Sequence, residues 1–196
     1  YISSKWKENC EEEALLGVSL TGIMDNTLTN GTGKSRESLA EFLSSMRECA
    51  MKINKEHAKK IGINPASAIT CVKPSGNISQ LVNSASGIHA RHSKYYIRSV
   101  KVNKNDPIAM FMIEQGFPFE KDMHKPDVAV LFRFPIKSPE GSVTRNDRSA
   151  ISELELWMIY REHYCDHNPS CTINVREDEW PEVGSWVWKN FDNISG

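Results

Sequence analysis

Apolar positions recur along this chain in two alternating rhythms, and the rhythms predict a succession of helices and strands. Leu39, Phe42, Leu43, Met46, Ala50, Ile53, His57 and Ile61 return at steps of three and four. That spacing puts them on one face of a long helix, with Ser35 as its N-cap and Gly62 as its stop. The run from Leu16 to Ile23 is apolar and rich in small and branched residues, and predicts a strand passing into a turn at Asp25 to Gly33. Ala68 to Val72 predicts a second short strand, followed at once by a glycine-containing turn and a brief helical pattern through Ile78, Leu81 and Val82. Tyr95 to Val102 predicts a strand, and Asp106-Pro107 opens a helix that closes at Gly116. Val128 to Phe134 predicts a strand, and Ile151, Leu154 and Met158 mark a helix ending near Cys165. Cys171 to Val175 predicts a strand, and Glu177 to Phe191 a helix with acids in its first turn. Strands alternating with helices predict an α/β fold with largely parallel pairing. Both ends look cut, so residues 1–196 are expected to form one partial domain.

Composition changes this picture little. The 196 residues are 39% hydrophobic with a formal net charge of -1, enough to bury one core. No run of eighteen apolar residues and no charged-then-apolar leader occurs, so a cytoplasmic protein without a membrane span is expected. Five irregularly spaced cysteines fit reduced thiols better than a disulfide framework. A near-zero net charge argues against a polymeric nucleic-acid partner but is compatible with a single nucleotide.

The segment Lys73-Pro-Ser-Gly-Asn-Ile-Ser-Gln80 lies between a predicted strand and a predicted helix, where α/β proteins commonly hold ligands. Free N–H groups of a first helical turn attract anions, and Gly76 leaves no Cβ in the way of a phosphate. Ser75, Asn77 and Ser79 add side-chain donors. An ordinary strand-to-helix turn accounts for the same residues, with Ser, Gly and Asn as caps and bends. His163, Cys165, His167 and Cys171 offer a competing zinc reading, which requires four ligands converging at about 2.0–2.3 Å. The plainer reading is a helix end followed by Asn168-Pro169 and a strand. Gly31-Thr-Gly-Lys-Ser35 looks like the end of a Walker loop, but Leu28 stands where the first glycine is required. Tyr95-Tyr96 and Trp186 with Trp188 are read as packing aromatics. His89, Arg91 and His92 follow Gly87 in a predicted loop and could reach a nucleotide.

Several segments together carry a family resemblance. Ala68-Ile-Thr-Cys-Val-Lys-Pro-Ser-Gly-Asn-Ile-Ser-Gln-Leu-Val82, Ser86-Gly-Ile-His89 and Tyr95-Tyr-Ile-Arg98 resemble adenosylcobalamin-dependent (class II) ribonucleotide reductases of the ribonucleoside-triphosphate type. So do Gly17 to Ile23, Phe134 to Arg145 and Glu179 to Trp186. The resemblance implies part of a ten-stranded α/β barrel, its C-terminal portion, in which Ser75, Gly76, Asn77, Ile78 and Ser79 contact the substrate phosphates. His89 and Arg91 are possible substrate-proximal residues. It also implies a ribonucleotide substrate, an adenosylcobalamin cofactor, deoxynucleotide effectors and a thioredoxin-like reductant for the full-length enzyme. Asn77 stands where the family usually has threonine, and Ala90 where proline commonly follows Gly-Ile-His. The family's radical cysteine lies in an Asn-x-Cys-x-Glu pattern that none of the five cysteines fits; Cys10, for example, has Glu8 two residues before it. No catalytic residue and no metal ligand is therefore expected within the chain. A stand-alone phosphate- or nucleotide-binding module remains the alternative. It requires closed sheet edges, where a piece of a barrel would leave an edge and apolar surface open.

Overall fold

The computed structural model describes residues 2–33 and 35–194. The chain, expected to be one partial domain, divides into two compact units: Tyr1–Arg91 with Pro139–Gly196, and His92–Ser138.

In the first unit, α1 (Ser4–Glu13) is capped by Ser3 and buries no side chain, which is why no apolar rhythm announces it. Strand β1 (Val18–Ser19) leads through a single 3-10 turn at Ile23–Asp25 to α2 (Arg36–Ile61) and then to β2 (Thr70–Cys71). Helix α2 has the limits its periodicity predicts. Ser35 Oγ accepts the N–H of Ser38 at 3.2 Å, and Gly62, at φ 76°, turns the chain out of the helix while its N–H donates to the Ala58 carbonyl. β1 and β2 pair in parallel, Val18 with Thr70 and Ser19 with Cys71, so β1–α2–β2 is a crossover unit. A single turn, α3 (Ile78–Leu81), follows.

Helix α5 (Ala150–His163) is the centre of this unit's core. It is capped by Ser149 and buries eight of its residues, among them Leu154, Trp157 and Tyr160. It packs on α2, bringing Leu39 and Leu43 together with Leu156 and Tyr160, all with at most 3% of their surface exposed. Each such side chain contributes about 1.5–3 kcal/mol of burial. After α5 the expected strand at Cys171 to Val175 is absent. Cys171, Ile173 and Val175 do pack against the core in alternation, but the backbone finds no ladder partner, and the Asn174 N–H goes to the Glu153 carboxylate at 3.4 Å. Helix α6 (Trp180–Lys189) ends the unit, with single 3-10 turns on either side at Glu177–Glu179 and Phe191–Asn193.

The second unit corrects the expectation of largely parallel pairing. β3 (Tyr95–Asn103), β4 (Phe119–Lys121) and β5 (Ala129–Lys137) form an antiparallel sheet in the order β3-β5-β4. The short turn between β4 and β5, fixed where the Asp122 carboxylate accepts the His124 and Lys125 N–H groups, can join only antiparallel neighbours. Helix α4 (Pro107–Glu114), capped by Asp106, covers one face, and Ala109, Val130 and Phe132 form the core.

Two surface features of the first unit matter below. Among the described residues β1 has a paired neighbour on one side only, because its sheet contains just β1 and β2. Beside it lies a groove of about 660 Å³ lined by apolar side chains, among them Leu15, Leu16, Met46, Ile53 and Ile61. Among the described residues no helix is long and apolar enough to cross a membrane.

Candidate functional site

The turn after β2 is placed by an aspartate that the sequence alone gave no reason to single out. Asp166, just past α5, accepts the N–H groups of Ile69 and Thr70 at 2.8 and 3.0 Å on one carboxylate oxygen and the Arg47 guanidinium at 2.5 Å on the other. Its own N–H donates to the Thr70 carbonyl at 2.8 Å, and the Thr70 hydroxyl donates to the Tyr164 carbonyl at 2.5 Å. Burial alone would raise the Asp166 pKa, but the two N–H donors and Arg47 outweigh it and bring the carboxyl down to about 2. Thr70 is completely buried, so β2 is anchored on both sides immediately before the loop.

The loop itself is closed by its own serines. Ser75 Oγ accepts the Ser79 N–H at 2.8 Å, the Ser79 hydroxyl donates to the Ser75 carbonyl at 3.3 Å, and the Ser75 N–H donates to Ser86 Oγ at 2.8 Å. Ser79 is therefore fully buried and turned to Ser75. Between these fixed ends, Gly76, Asn77 and Ile78 are exposed, and their three N–H groups donate to no acceptor among the described residues. A Cβ at Gly76 would meet nothing within 4 Å. Helix α3 is only one turn long and Asn77 makes no side-chain cap bond, so the helix dipole invoked from the sequence adds little. The donors are those of the loop.

His89 and Arg91 lie on the segment that follows. His89 Nδ1 is 2.9 Å from the Ser86 carbonyl. Arg91 is 5% exposed; its Nε and Nη2 donate to the two oxygens of Asp25 at 2.9 and 2.7 Å, and Nη2 also reaches the Asn83 carbonyl at 2.6 Å. Asp25 additionally accepts the Ala85 N–H at 2.6 Å. Burial opposes its ionisation, yet Arg91 and Ala85 hold its carboxyl below the ordinary aspartate value. The guanidinium thus ties residues 83–85 to the turn after β1. Nothing in the spacing of Asp25 and Arg91 announces that pairing.

The other sequence candidates are placed separately. His163 Nδ1 lies 3.2 Å from Ser44 Oγ, Cys165 is buried, and no three metal-ligating side chains converge among the described residues. Burial, with Cys71 nearby, pushes the Cys165 thiol up to about 12, and burial near Glu153 pushes Cys171 to about 11. Lys34 lies outside the described residues, and Ser35 is the cap of α2. Trp186 packs edge-on to Trp157 and donates to Glu155 at 2.6 Å, whereas Trp188 and Tyr95 are 83% and 62% exposed and do not fit the packing role given them.

With this geometry in hand, the fold has a clear counterpart. A crystal structure of B12-dependent (class II) ribonucleotide reductase superposes with a TM-score of 0.78 over 94% of this chain and 29% of that chain, at 20% sequence identity. The chain has the fold of that part of a class II ribonucleotide reductase. In sequence it is similar to adenosylcobalamin-dependent ribonucleoside-triphosphate reductases: that of Lactobacillus acidophilus is 26% identical over 148 residues, 73% of this chain and 20% of the relative. That of Euglena gracilis is 25% identical over 171 residues, 86% of this chain and 23% of the relative. The probable enzyme of Dictyostelium discoideum is 24% identical over 81% of this chain and 20% of the relative. The chain thus spans about a fifth to a quarter of the length of these relatives. No family model matches it.

Proposed function

We propose that this chain is part of a ribonucleotide reductase and that residues 75–79 hold the phosphates of a ribonucleoside triphosphate or diphosphate. The observation that carries the reading is the run of three exposed N–H groups at Gly76, Asn77 and Ile78 that meet no acceptor among the described residues, held between the fixed residues Ser75 and Ser79. Consecutive backbone donors on a braced loop suit phosphate oxygens. The reaction of the whole enzyme replaces the ribose 2′-hydroxyl with hydrogen through a thiyl radical; the oxygen leaves as water and a dithiol is oxidised to a disulfide. The open edge of β1 and the apolar groove beside it favour a piece of a larger α/β barrel over a self-contained module. Adenosylcobalamin generates the radical in such an enzyme. This chain's own role in that reading is to bind and orient phosphate through the loop N–H groups.

Titration of the 15N-labelled chain with a ribonucleoside triphosphate tests the reading. The amide resonances of Gly76, Asn77 and Ile78 are expected to move most and to saturate together. Their failure to move at millimolar nucleotide would overturn it. The chain alone is expected to form no deoxynucleotide when given adenosylcobalamin and a dithiol, because none of its cysteines has the Asn and Glu neighbours of the radical residue. Product formation would refute that expectation.

A further inference from the structure

We propose that Ser86 is the positioning residue of the phosphate loop, aiming the first of its free N–H donors; the inference rests on the phosphate reading above. Ser86 Oγ accepts the Ser75 N–H at 2.8 Å, and its hydroxyl donates to the Ser75 carbonyl at 2.9 Å. One side-chain oxygen therefore grips both ends of one residue's backbone from eleven positions away. The carbonyl of Ser75 and the N–H of Gly76 belong to the same planar peptide unit, and no cis peptide occurs among the described residues. Fixing the direction of that carbonyl fixes the opposite direction of the Gly76 N–H. Ser86 thereby sets where a loop donor points without touching the ligand.

The post on which this depends is rigid. On one side of Ser86, Ala85 donates its N–H to Asp25 at 2.6 Å, and its carbonyl accepts from the Gly22 N–H at 2.7 Å and the Thr21 hydroxyl at 3.0 Å. On the other side, Gly87 donates to Thr21 Oγ1 at 3.0 Å, and its carbonyl accepts the Ile23 N–H at 3.3 Å. Gly87 has φ +53°, and a Cβ there would lie 3.3 Å from Val72 Cγ1 and 3.6 Å from the Lys73 carbonyl and Pro74 Cα. A glycine is required for the strap to pass this close to the start of the loop. Residues 85–87 are thus fastened to the turn after β1, and the Ser86 side chain reaches from them to Ser75.

The test compares wild type with Ser86→Ala and Ser86→Thr, using inorganic tripolyphosphate as the probe and measuring its Kd, the Ser75 amide exchange rate and the thermal midpoint. Ser86→Ala is expected to weaken tripolyphosphate about tenfold and to speed exchange at Ser75 by a similar factor, as loss of a backbone-orienting bond pair implies. The Gly76 amide resonance is expected to shift alongside a modest fall in the midpoint from the two lost bonds, and Ser86→Thr, which keeps the hydroxyl, restores binding. A purely structural serine would lower the midpoint without singling out Gly76. If Ser86→Ala does not fold, Ser86→Cys, with a weaker donor and acceptor, carries the same expectation. Wild-type binding matched by Ser86→Ala overturns the role of Ser86 and leaves the phosphate reading standing. A wild-type chain that ignores tripolyphosphate overturns both.

Discussion

Replacing Asp25 by alanine removes the carboxylate that pairs with the buried Arg91 guanidinium. The Arg91 side chain is 4% exposed and that of Asp25 is 13% exposed, so solvent cannot take the place of the missing partner. Stranding one member of a buried pair costs about 3–5 kcal/mol. The Ala85 N–H, now without its acceptor, lies within the same loss. A urea slope of about 2 kcal/mol/M would turn this into a fall of about 2 M in the unfolding midpoint. The double variant Asp25→Leu, Arg91→Met removes both charges at once. It is expected to lose less than Asp25→Ala, about 1–3 kcal/mol, from the unpaired Ala85 N–H and Asn83 carbonyl. The pH dependence has a definite sign. The folded carboxyl titrates below its ordinary value of 3.8, so its contribution is present above that pH and is lost as the pH falls through the folded value. A single variant within 1 kcal/mol of wild type, or a double variant at least as damaged as the single, would refute this account of residues 83–91.

Gly76→Val is expected to leave the unfolding midpoint almost unchanged, because its Cβ meets nothing within 4 Å, while weakening nucleotide more than Ser79→Ala does in calorimetry. Ser79→Ala should cost about 0.5–1.5 kcal/mol of stability through its lost bond to Ser75. Asp166→Asn should flatten the acid limb of the stability profile between about pH 4 and 2, where the wild-type carboxyl, at about 2 when folded, takes up its proton on unfolding; an unchanged limb in acid titrations would contradict the anchoring of β2. Iodoacetamide at pH 8, followed by peptide mass mapping, should label the exposed Cys10 and Cys49 first and Cys165 last; early labelling of Cys165 would deny its burial.

The long helix was legible because both its face and its ends are written locally: the periodic apolar residues, Ser35 before them and Gly62 after them. The order of strand, turn and helix around residues 75–79 was legible for the same reason. Strand direction was not, since an alternating pattern such as Tyr95 to Asn103 states which face is buried and nothing about the neighbour's polarity. Cys171 to Val175 alternates without being a strand, because burial of every second residue does not require a ladder. The braces of the site escaped notice for a different reason. Asp25, Asp166 and Ser86 act across sequence separations of 60, 97 and 11 residues, and their chemistry depends on partners that only the fold brings near.

The second unit interrupts the first between Arg91 and Pro139, and the interruption is stitched shut within each unit. Arg91 donates its N–H to the Val143 carbonyl at 2.9 Å and accepts the Arg145 N–H at 2.8 Å, while Ser138 donates to the Lys94 and Ser93 carbonyls. Such a neck makes residues 92–138 a cassette. A protein line could therefore gain, lose or exchange this hairpin-bearing insert while the loop of Ser75 to Ser79 and its supports, all encoded on the other side of the neck, stayed as they are.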